Sequence, residues 1–271
     1  MMQWNILLIL CGVCALLCSI GFYKYVYFLS VGYGFAIAGG SIALFVILYL
    51  NGWLGGNMLW LAAAQMLLFI AYGARLSGFL LYREAKSAGY KKTMKNEIGA
   101  DKKIPFFVSF CIWVSVAVLY AAMLSPMLYR YSNGAKDFIV PAVGMVISVI
   151  GLILESAADR QKSAQKKENP NSVAMKGLYK IVRCPNYLGE ITFWTCVFVS
   201  GITAYQTTGQ WIIADAAYDC NVYIMFNGAQ RLEKRQMARY GSDPAYNAYA
   251  DSTPIILPLI PIYHLNKKEA K

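Results

Sequence analysis

The sequence contains several apolar runs, each long enough to cross the roughly 30 Å hydrocarbon core of a membrane. Hydrophobic residues make up 58% of the 271-residue chain. Because lipid offers no partner to a backbone N–H or C=O group, such runs fold as helices. The sequence therefore predicts an all-α integral membrane protein with about seven transmembrane helices. We place them at residues 5–22, 25–50, 58–82, 104–128, 138–158, 185–204 and 210–226.

The distribution of positive charge predicts the orientation of these helices. The formal net charge is +11, and residues 83–103, 160–183 and 231–271 each hold seven of the 25 Lys and Arg residues. These three clusters lie on alternate connections, so they share one side of the membrane, which the positive-inside rule makes the cytoplasmic side. We therefore predict that the N-terminus is outside and the C-terminus cytoplasmic. Since topology explains the charge, no nucleic-acid partner is predicted.

Cysteine, histidine and glycine usage excludes several kinds of site. The seven cysteines are scattered through hydrophobic or near-membrane sequence, which indicates buried thiols rather than disulfides or a metal site. The only histidine, His264, lies near the C-terminus, so we predict no metal and no histidine-based catalytic triad. No G-x-G-x-x-G motif occurs, so no Rossmann domain is available to hold a dinucleotide. We predict a single transmembrane domain over residues 1–271.

The stretch RCPNYLGE, residues 183–190, is the short run densest in chemistry. Pro185 disfavours helix at the residue before it and suits a first helical turn, so a helix is predicted to begin there. Asn186 and Glu190 then share one helix face. A carboxylate accepts hydrogen bonds while an Asn amide donates and accepts, so the pair suits a planar amide such as the carboxamide of nicotinamide. The alternative is an ordinary helix start at which the dipole favours Glu190.

Three polar residues lie unusually deep in the predicted spans. Arg75 is about 12 Å deeper along its helix than Arg83, which is costly unless Arg75 is paired or faces a wet cavity. We favour a cavity, also lined by Tyr72, over snorkelling of the arginine to the interface. Asp215 and Asp219 are one turn apart in the seventh predicted span. They are protonated, paired with Arg75, or directed at a polar substrate group, and we favour pairing or protonation.

The segment GLYKIVRCPNYLGE, residues 177–190, resembles the signature of the steroid 5-alpha-reductase-like membrane reductases, in particular their bacterial branch. Three further stretches match in the same order: RLSGFLLYR from Arg75, ESAADRQK from Glu155, and LEKR with YNAYADSTPIILPLIP from Leu232 onward. Most of the match lies in residues 76–271, and residues 1–75 match less well. Two positions depart from the signature, because Cys184 stands where His is usual and Ile181 where an aromatic residue is usual.

The resemblance implies a fold, a reaction and a location. The enzyme would be an NADPH-dependent, 3-oxo-steroid 5-alpha-reductase-like oxidoreductase in a membrane, expected to be the bacterial inner membrane. It would transfer a hydride to a carbon–carbon double bond conjugated to a ketone in a steroid-like or other lipid-soluble substrate. Tyr72 falls where the family has its catalytic tyrosine. The family's partner carboxylate has no counterpart, because the second span contains neither Asp nor Glu.

The resemblance and the residue chemistry together give a set of candidate site residues. By analogy, Asp159 would bind a cofactor hydroxyl and Lys166 a phosphate. The predicted cofactor-binding residues are Asn186, Tyr187, Glu190, Arg83, Asp159, Lys166, Arg183, Glu233 and Arg235. The predicted substrate cavity contains Arg75, Asp215 and Asp219.

Two other functions remain open from the sequence. Membrane isoprenylcysteine methyltransferases belong to the same superfamily and share an R-H-P-x-Y motif, which suggests an S-adenosylmethionine-dependent methyltransferase. The PNYLGE form of the motif and the ESAADRQK segment favour the reductase. A non-enzymatic membrane lipid-binding protein would use the same polar residues only to hold helices together.

Overall fold

The computed structural model describes residues 2–86, 91 and 104–266, and all regular secondary structure in them is helical. The α-helices are α1 (Gln3–Cys18), α2 (Val31–Leu50), α3 (Asn57–Lys86), α4 (Phe106–Met123), α5 (Ser125–Ser132), α6 (Ile139–Glu168), α7 (Pro185–Gly201), α8 (Thr208–Tyr240) and α9 (Pro244–Ser252). Short 3-10 helices occupy Ser19–Phe22, Tyr25–Leu29, Gly177–Lys180 and Ile202–Ala204. The predicted all-α class therefore holds for the described residues. Most of the predicted basic loop, residues 83–103, lies outside them.

Six described helices are long and apolar enough to cross a membrane. They are Gln3–Phe22, Val31–Leu50, Asn57–Lys86, Phe106–Met123, Ile139–Glu168 and Pro185–Ala204. The predicted seventh span, residues 210–226, is helical within α8 but is not one of the six. It carries Gln210, Asp215, Asp219 and Asn221, which lower its mean hydropathy. The chain is thus a multi-pass membrane protein by its helices, and the orientation of its termini stays a prediction.

The stretch between the fourth and fifth predicted spans begins with a short helix, α5, at Ser125–Ser132. Pro126 lies in the first turn of this helix, where its fixed φ is favourable and its missing N–H costs nothing. Residues 125–131 are all buried. A segment that reads as a polar connection is therefore an internal helix.

The chain divides into two compact units. The first comprises Met1–Met145 and Val197–Ala217, and the second comprises Val146–Cys196 and Tyr218–Lys271. Each unit contains one very close helix crossing and one buried arginine.

In the first unit, α2 and α3 cross where both have small residues. A Cβ atom added to Gly34 would lie 2.5 Å from the carbonyl oxygen of Gly73, so any larger residue would clash with backbone. The Ser77 hydroxyl then donates across the crossing to the carbonyl oxygen of Val31, at 2.7 Å. The small residues of α2 and α3 therefore permit the close approach of the two helices.

Arg130 ties three segments of the first unit together. Its guanidinium is fully buried and donates to the Ser200 carbonyl at 2.9 Å, to the Thr203 hydroxyl at 2.6 Å and to the Asp137 carboxylate at 2.8 Å. Ser200 belongs to the last turn of α7, so the cation also meets the negative end of a helix dipole. Every N–H group of this arginine reaches an acceptor. A buried charge can be stable under these conditions.

In the second unit, α6 and α7 cross at a pair of glycines. A Cβ atom added to Gly151 would lie 2.7 Å from the carbonyl oxygen of Gly189, and one added to Gly189 would lie 2.6 Å from the carbonyl oxygen of Gly151. The Ser148 hydroxyl donates to the Phe193 carbonyl oxygen at 3.2 Å on the same crossing. Lipid tails are as apolar as side chains, so close packing of this kind, rather than water exclusion, holds such helices together.

We expect Gly151→Ala to destabilise the protein by about 1–3 kcal/mol, because the two backbones must separate to admit a methyl group. Gly12→Ala is the matched control, since nothing lies within 4 Å of a Cβ atom there and alanine favours the helix. Thermal unfolding of the two variants in mild detergent measures the difference. Equal melting temperatures for both variants would contradict the close crossing.

Candidate functional site

The turn that precedes α7 is held by backbone hydrogen bonds from distant sequence. The amide of Arg183 donates to the Pro254 carbonyl oxygen and the amide of Cys184 to the Ile255 carbonyl oxygen, each at 2.8 Å. Helix α7 begins at Pro185, as predicted. Its first residues are thus fixed both by the proline and by the chain that follows α9.

Asn186 and Glu190 occupy the first two turns of α7 on one face, as the sequence predicts. Glu190 is only 4% exposed, and one of its carboxylate oxygens accepts a hydrogen bond from the Trp194 indole N–H at 3.1 Å. Asn186 is half-buried, and its amide forms no hydrogen bond with another residue of the described chain. The pair therefore combines an oriented, buried carboxylate with an amide whose hydrogen-bonding groups are available.

Arg183 is buried, but only part of its guanidinium is satisfied. Its Nη2 atom donates to the Glu233 carboxylate at 2.8 Å and also to the Tyr263 carbonyl oxygen. The Nε and Nη1 atoms are buried and form no hydrogen bond of good geometry in the described chain, although the Tyr246 hydroxyl lies near enough for the guanidinium to act on it. A buried, charged N–H group without an acceptor is costly, so this arginine has hydrogen bonds left to make.

Glu233 is the centre of a hydrogen-bond network in the second unit. Besides Arg183 and the His264 ring, it accepts from the amides of Leu265 and Asn266, at 2.9 and 3.0 Å. Burial acts to raise the pKa of this carboxyl, but the hydrogen bonds from Arg183, Leu265 and Asn266 outweigh it and hold the pKa below its usual value. The sequence suggests Glu233 as a cofactor ligand, whereas in the structure its oxygens already serve to anchor the C-terminal segment.

Asp159 and Lys166 lie on α6, two turns apart. Asp159 is nearly buried, with 9% of its surface exposed. The Lys166 ammonium donates to the Tyr240 hydroxyl at 2.9 Å and to the carbonyl oxygens of Ser172 and Pro170. Its three N–H donors are thereby engaged with protein groups. Phosphate binding by Lys166 stays a prediction, and in this structure the side chain stabilises the turn after α6.

Tyr187 and Arg235 bring α7 and α8 together. A Cβ atom at Gly228 would lie 3.2 Å from the Tyr187 hydroxyl oxygen, so the ring rests on α8 where that helix has no side chain. Arg231 and Arg235 act electrostatically on the same hydroxyl. Arg235 is partly exposed and forms no ion pair with another described residue, so its charge remains available to an anion.

The site residues predicted on α3, for the substrate ketone and for the cofactor phosphates, belong to the first unit. Tyr72 is fully buried, and its ring packs edge-on against that of Tyr33, with centroids 5.8 Å apart. The guanidinium carbons of Arg75 and Arg83 lie 5.5 and 5.2 Å from the centre of the Phe79 ring. The two arginines therefore follow one stripe of α3, which cation–π contacts stabilise.

Asp215 and Asp219 are exposed on α8, and neither forms an ion pair with a described residue. The proposed pairing of these carboxylates with Arg75 is therefore not observed. Helical spacing places the two aspartates on one face, but it does not determine which helix that face meets.

The structure distributes the predicted site residues over both units. The first unit holds Tyr72, Arg75, Arg83 and Asp215. The second holds Asp159, Lys166, Arg183, Asn186, Tyr187, Glu190, Asp219, Glu233 and Arg235. Among them, the structure shows a direct ion pair between Arg183 and Glu233.

Three buried or bridging residues are missed by the sequence analysis. Tyr246 and Asn221 are buried, and the Tyr246 hydroxyl and the Asn221 amide nitrogen have no hydrogen-bond partner in the described chain. His264 bridges two carboxylates. The lone histidine was a visible signal, but its partners lie 13 and 31 residues away and no short motif contains them. No group of three or more described His, Cys, Asp or Glu residues could hold a metal ion.

Cys184, which replaces the usual histidine of the signature, is buried against Ile255 and Ile256. Burial raises the pKa of its thiol to about 11, and Glu233 acts in the same direction, while Lys162 and Arg183 act to lower it. At neutral pH the thiol is protonated and uncharged. It therefore cannot take up and release a proton as a histidine does, and it cannot act as a nucleophile.

We expect Cys184 to resist alkylation by a maleimide at pH 7.5, because the thiol is both buried and protonated. The modified peptides, identified by mass spectrometry, should include Cys184 only after denaturation in dodecyl sulfate. Rapid modification of Cys184 in the folded protein at pH 7.5 would contradict this environment.

Comparison with known proteins gives the family of the chain. No curated protein and no solved structure matches it. A family model of membrane proteins matches residues 35–253, which include α3, the RCPNYLGE stretch and α8. The chain therefore belongs to the family described as protein of unknown function (DUF1295).

Proposed function

We propose that the protein is an NADPH-dependent membrane reductase that acts on a carbon–carbon double bond conjugated to a ketone in a steroid-like or other lipid-soluble substrate. The observation that carries this proposal is the pair formed by Asn186 and Glu190 at the start of α7. Glu190 is buried and oriented by Trp194, while Asn186 has a half-buried amide with no partner in the described chain. The motif that contains the pair also resembles the reductase signature.

The pair is chemically suited to the carboxamide of a nicotinamide. A carboxamide presents two N–H donors and one carbonyl acceptor in a plane. Glu190 can accept from the N–H side, and Asn186 can donate to the carbonyl. Because a buried carboxylate has lost its water, a good donor at this position is strongly favoured.

The positive charges of the second unit support binding of an anionic dinucleotide. Arg183 has buried N–H groups without an acceptor, and Arg235 is partly exposed without an ion-pair partner in the described chain. Both residues are within or close to the matched motifs. Arg83 of α3 and Lys166 of α6 would attract the anionic cofactor through their positive charge, without a direct hydrogen bond to it. An arginine that needs an acceptor suits a phosphate oxygen.

Tyr72 is the proposed carbonyl donor. Bound NADPH would supply a hydride for the β-carbon, and a proton from water would complete the reduction at the α-carbon. The Tyr72 hydroxyl would donate a hydrogen bond to the ketone oxygen as enolate charge develops there. Full burial of Tyr72 among aromatic side chains lowers the local dielectric, which strengthens such a hydrogen bond.

We expect NADPH to raise the melting temperature of the detergent-solubilised protein. At 100 times its dissociation constant a ligand stabilises by about 2.7 kcal/mol, which corresponds to several degrees. Glu190→Gln should shrink this rise because the amide offers the nicotinamide a donor where an acceptor is needed. Glu168→Gln, an exposed residue at the end of α6, is the matched control and should retain the full rise.

NADH and S-adenosylmethionine serve as parallel ligands in the same experiment. Stabilisation by S-adenosylmethionine alone would replace the reductase with a methyltransferase. No stabilisation by any of the three ligands, in protein that unfolds cooperatively, would favour a non-enzymatic lipid-binding role. An undiminished NADPH effect in Glu190→Gln would remove the carboxamide contact from the proposal.

We expect Tyr72→Phe to lower turnover of a steroid enone by at least about 100-fold while the NADPH-induced rise in melting temperature persists. The phenyl ring keeps the packing against Tyr33 and removes only the hydroxyl. Tyr223→Phe is the control, because Tyr223 is 69% exposed on α8. Turnover is followed by the loss of nicotinamide absorbance, and wild-type turnover in Tyr72→Phe would exclude this residue from the reaction.

A further inference from the structure

The histidine of the second unit is placed between two carboxylates. The Nδ1 atom of His264 lies 3.0 Å from a Glu233 oxygen, and its Nε2 atom lies 2.8 Å from an Asp251 oxygen. A neutral imidazole carries one N–H group, so it can donate to only one of these oxygens. The doubly protonated ring can donate to both. Both hydrogen bonds, to Glu233 and to Asp251, can therefore form only when His264 carries a positive charge.

His264 belongs to a segment that covers the turn before α7. Residues 254–266, here named the clasp segment, follow α9 and fold back on themselves, with the Ile255 amide donating to the Ile262 carbonyl oxygen at 2.8 Å. The segment provides the Tyr263 carbonyl oxygen to Arg183, and Ile255 and Ile256 pack against Cys184. Its far end is fixed at Glu233 by the amides of Leu265 and Asn266. The clasp segment thereby encloses both Arg183 and Cys184.

The charges that face His264 come from three elements. Glu233 projects from α8 and Asp251 from α9, while Arg183, from the turn before α7, shares the same Glu233 oxygen. A protonated ring offers one N–H group to each of the two carboxylates. Without that proton, a ring lone pair faces a carboxylate oxygen. This repulsion acts directly on the end of the clasp segment.

Solvent can reach the proton that decides this balance. The His264 side chain is 19% exposed and that of Asp251 is 49% exposed, whereas those of Arg183 and Glu233 are at most 4% exposed. Histidine is the side chain that most readily changes charge near neutral pH. A ring at the edge of the cluster can therefore exchange its proton while the arginine behind it stays covered.

We propose that protonated His264 keeps the clasp segment closed over Arg183, and that loss of this proton opens the segment and exposes the arginine. The opening is a property of the protein itself and needs no cofactor. It makes access to a buried cationic group dependent on pH, with the closed form favoured at lower pH and the open form at higher pH.

Hydrogen–deuterium exchange followed by mass spectrometry tests this proposal on the full chain in detergent. Peptides that cover residues 254–266 are compared at pH 5.5 and pH 8.5 after correction for the intrinsic exchange rate, with peptides from α2 as the internal reference. We expect roughly tenfold stronger protection of the clasp segment at pH 5.5, the factor typical of one charge-assisted hydrogen bond. Equal corrected protection at the two pH values would overturn the proposal.

Two variants separate the histidine from other titrating groups. His264→Gln keeps a polar side chain that does not change charge with pH, so the protection of its clasp segment should be insensitive to pH. Asp251→Asn replaces the more exposed carboxylate with an amide and should retain protection at pH 8.5, because the neutral ring can donate to Glu233 while its other nitrogen accepts from the new amide. A pH response in His264→Gln equal to that of the wild type would assign the effect to another group and overturn the proposal.

Discussion

The contact between Gly151 and Gly189 is the constraint on which the candidate site of the second unit depends. Each glycine admits the backbone of the other helix where a single methyl group would overlap with a carbonyl oxygen. Since lipid removes the usual hydrophobic advantage of helix association, this approach must be stabilised by packing and by hydrogen bonds. Gly189 directly precedes Glu190, so the residue that fixes the crossing also fixes the depth and direction of the carboxylate beside it. One turn of α7 therefore carries both the close helix contact at Gly189 and the carboxylate of Glu190.

The two buried arginines of the described residues differ in how completely their N–H groups are satisfied. Arg130 of the first unit has an acceptor for every N–H group, drawn from a helix end, a hydroxyl and a carboxylate. Arg183 of the second unit reaches acceptors through one nitrogen only. Burial of a charge is tolerated when hydrogen bonds replace its water, and Arg130 meets that condition within the protein. Arg183 does not, although the clasp segment covers it. An incompletely satisfied buried arginine and the RCPNYLGE stretch therefore coincide at one turn.

Local sequence rules were sufficient for much of the fold. Proline chemistry predicted the start of α7 at Pro185, and helical spacing predicted that Asn186 and Glu190 share a face. Hydropathy alone does not distinguish a polar loop from a short helix whose tyrosines and arginine are buried inside the protein, as in α5. The seventh predicted span is not among the six candidate spans of the described residues, because Asp215 and Asp219 lower the hydropathy of an otherwise apolar stretch.

The sequence by itself determined that the chain is a helical membrane protein, where most of its helices lie, and which polar residues share a turn. These properties follow from hydropathy and from the 3.6-residue period, which act over a few neighbouring residues. Only the tertiary structure decided that Glu233 holds Arg183 and His264, that Lys166 caps a turn, and that Asp215 and Asp219 are exposed. Partners such as Arg183 and Glu233 are 50 residues apart, and whether a polar group is paired depends on which helix it meets. That choice is made by the packing of whole helices, which no local pattern encodes.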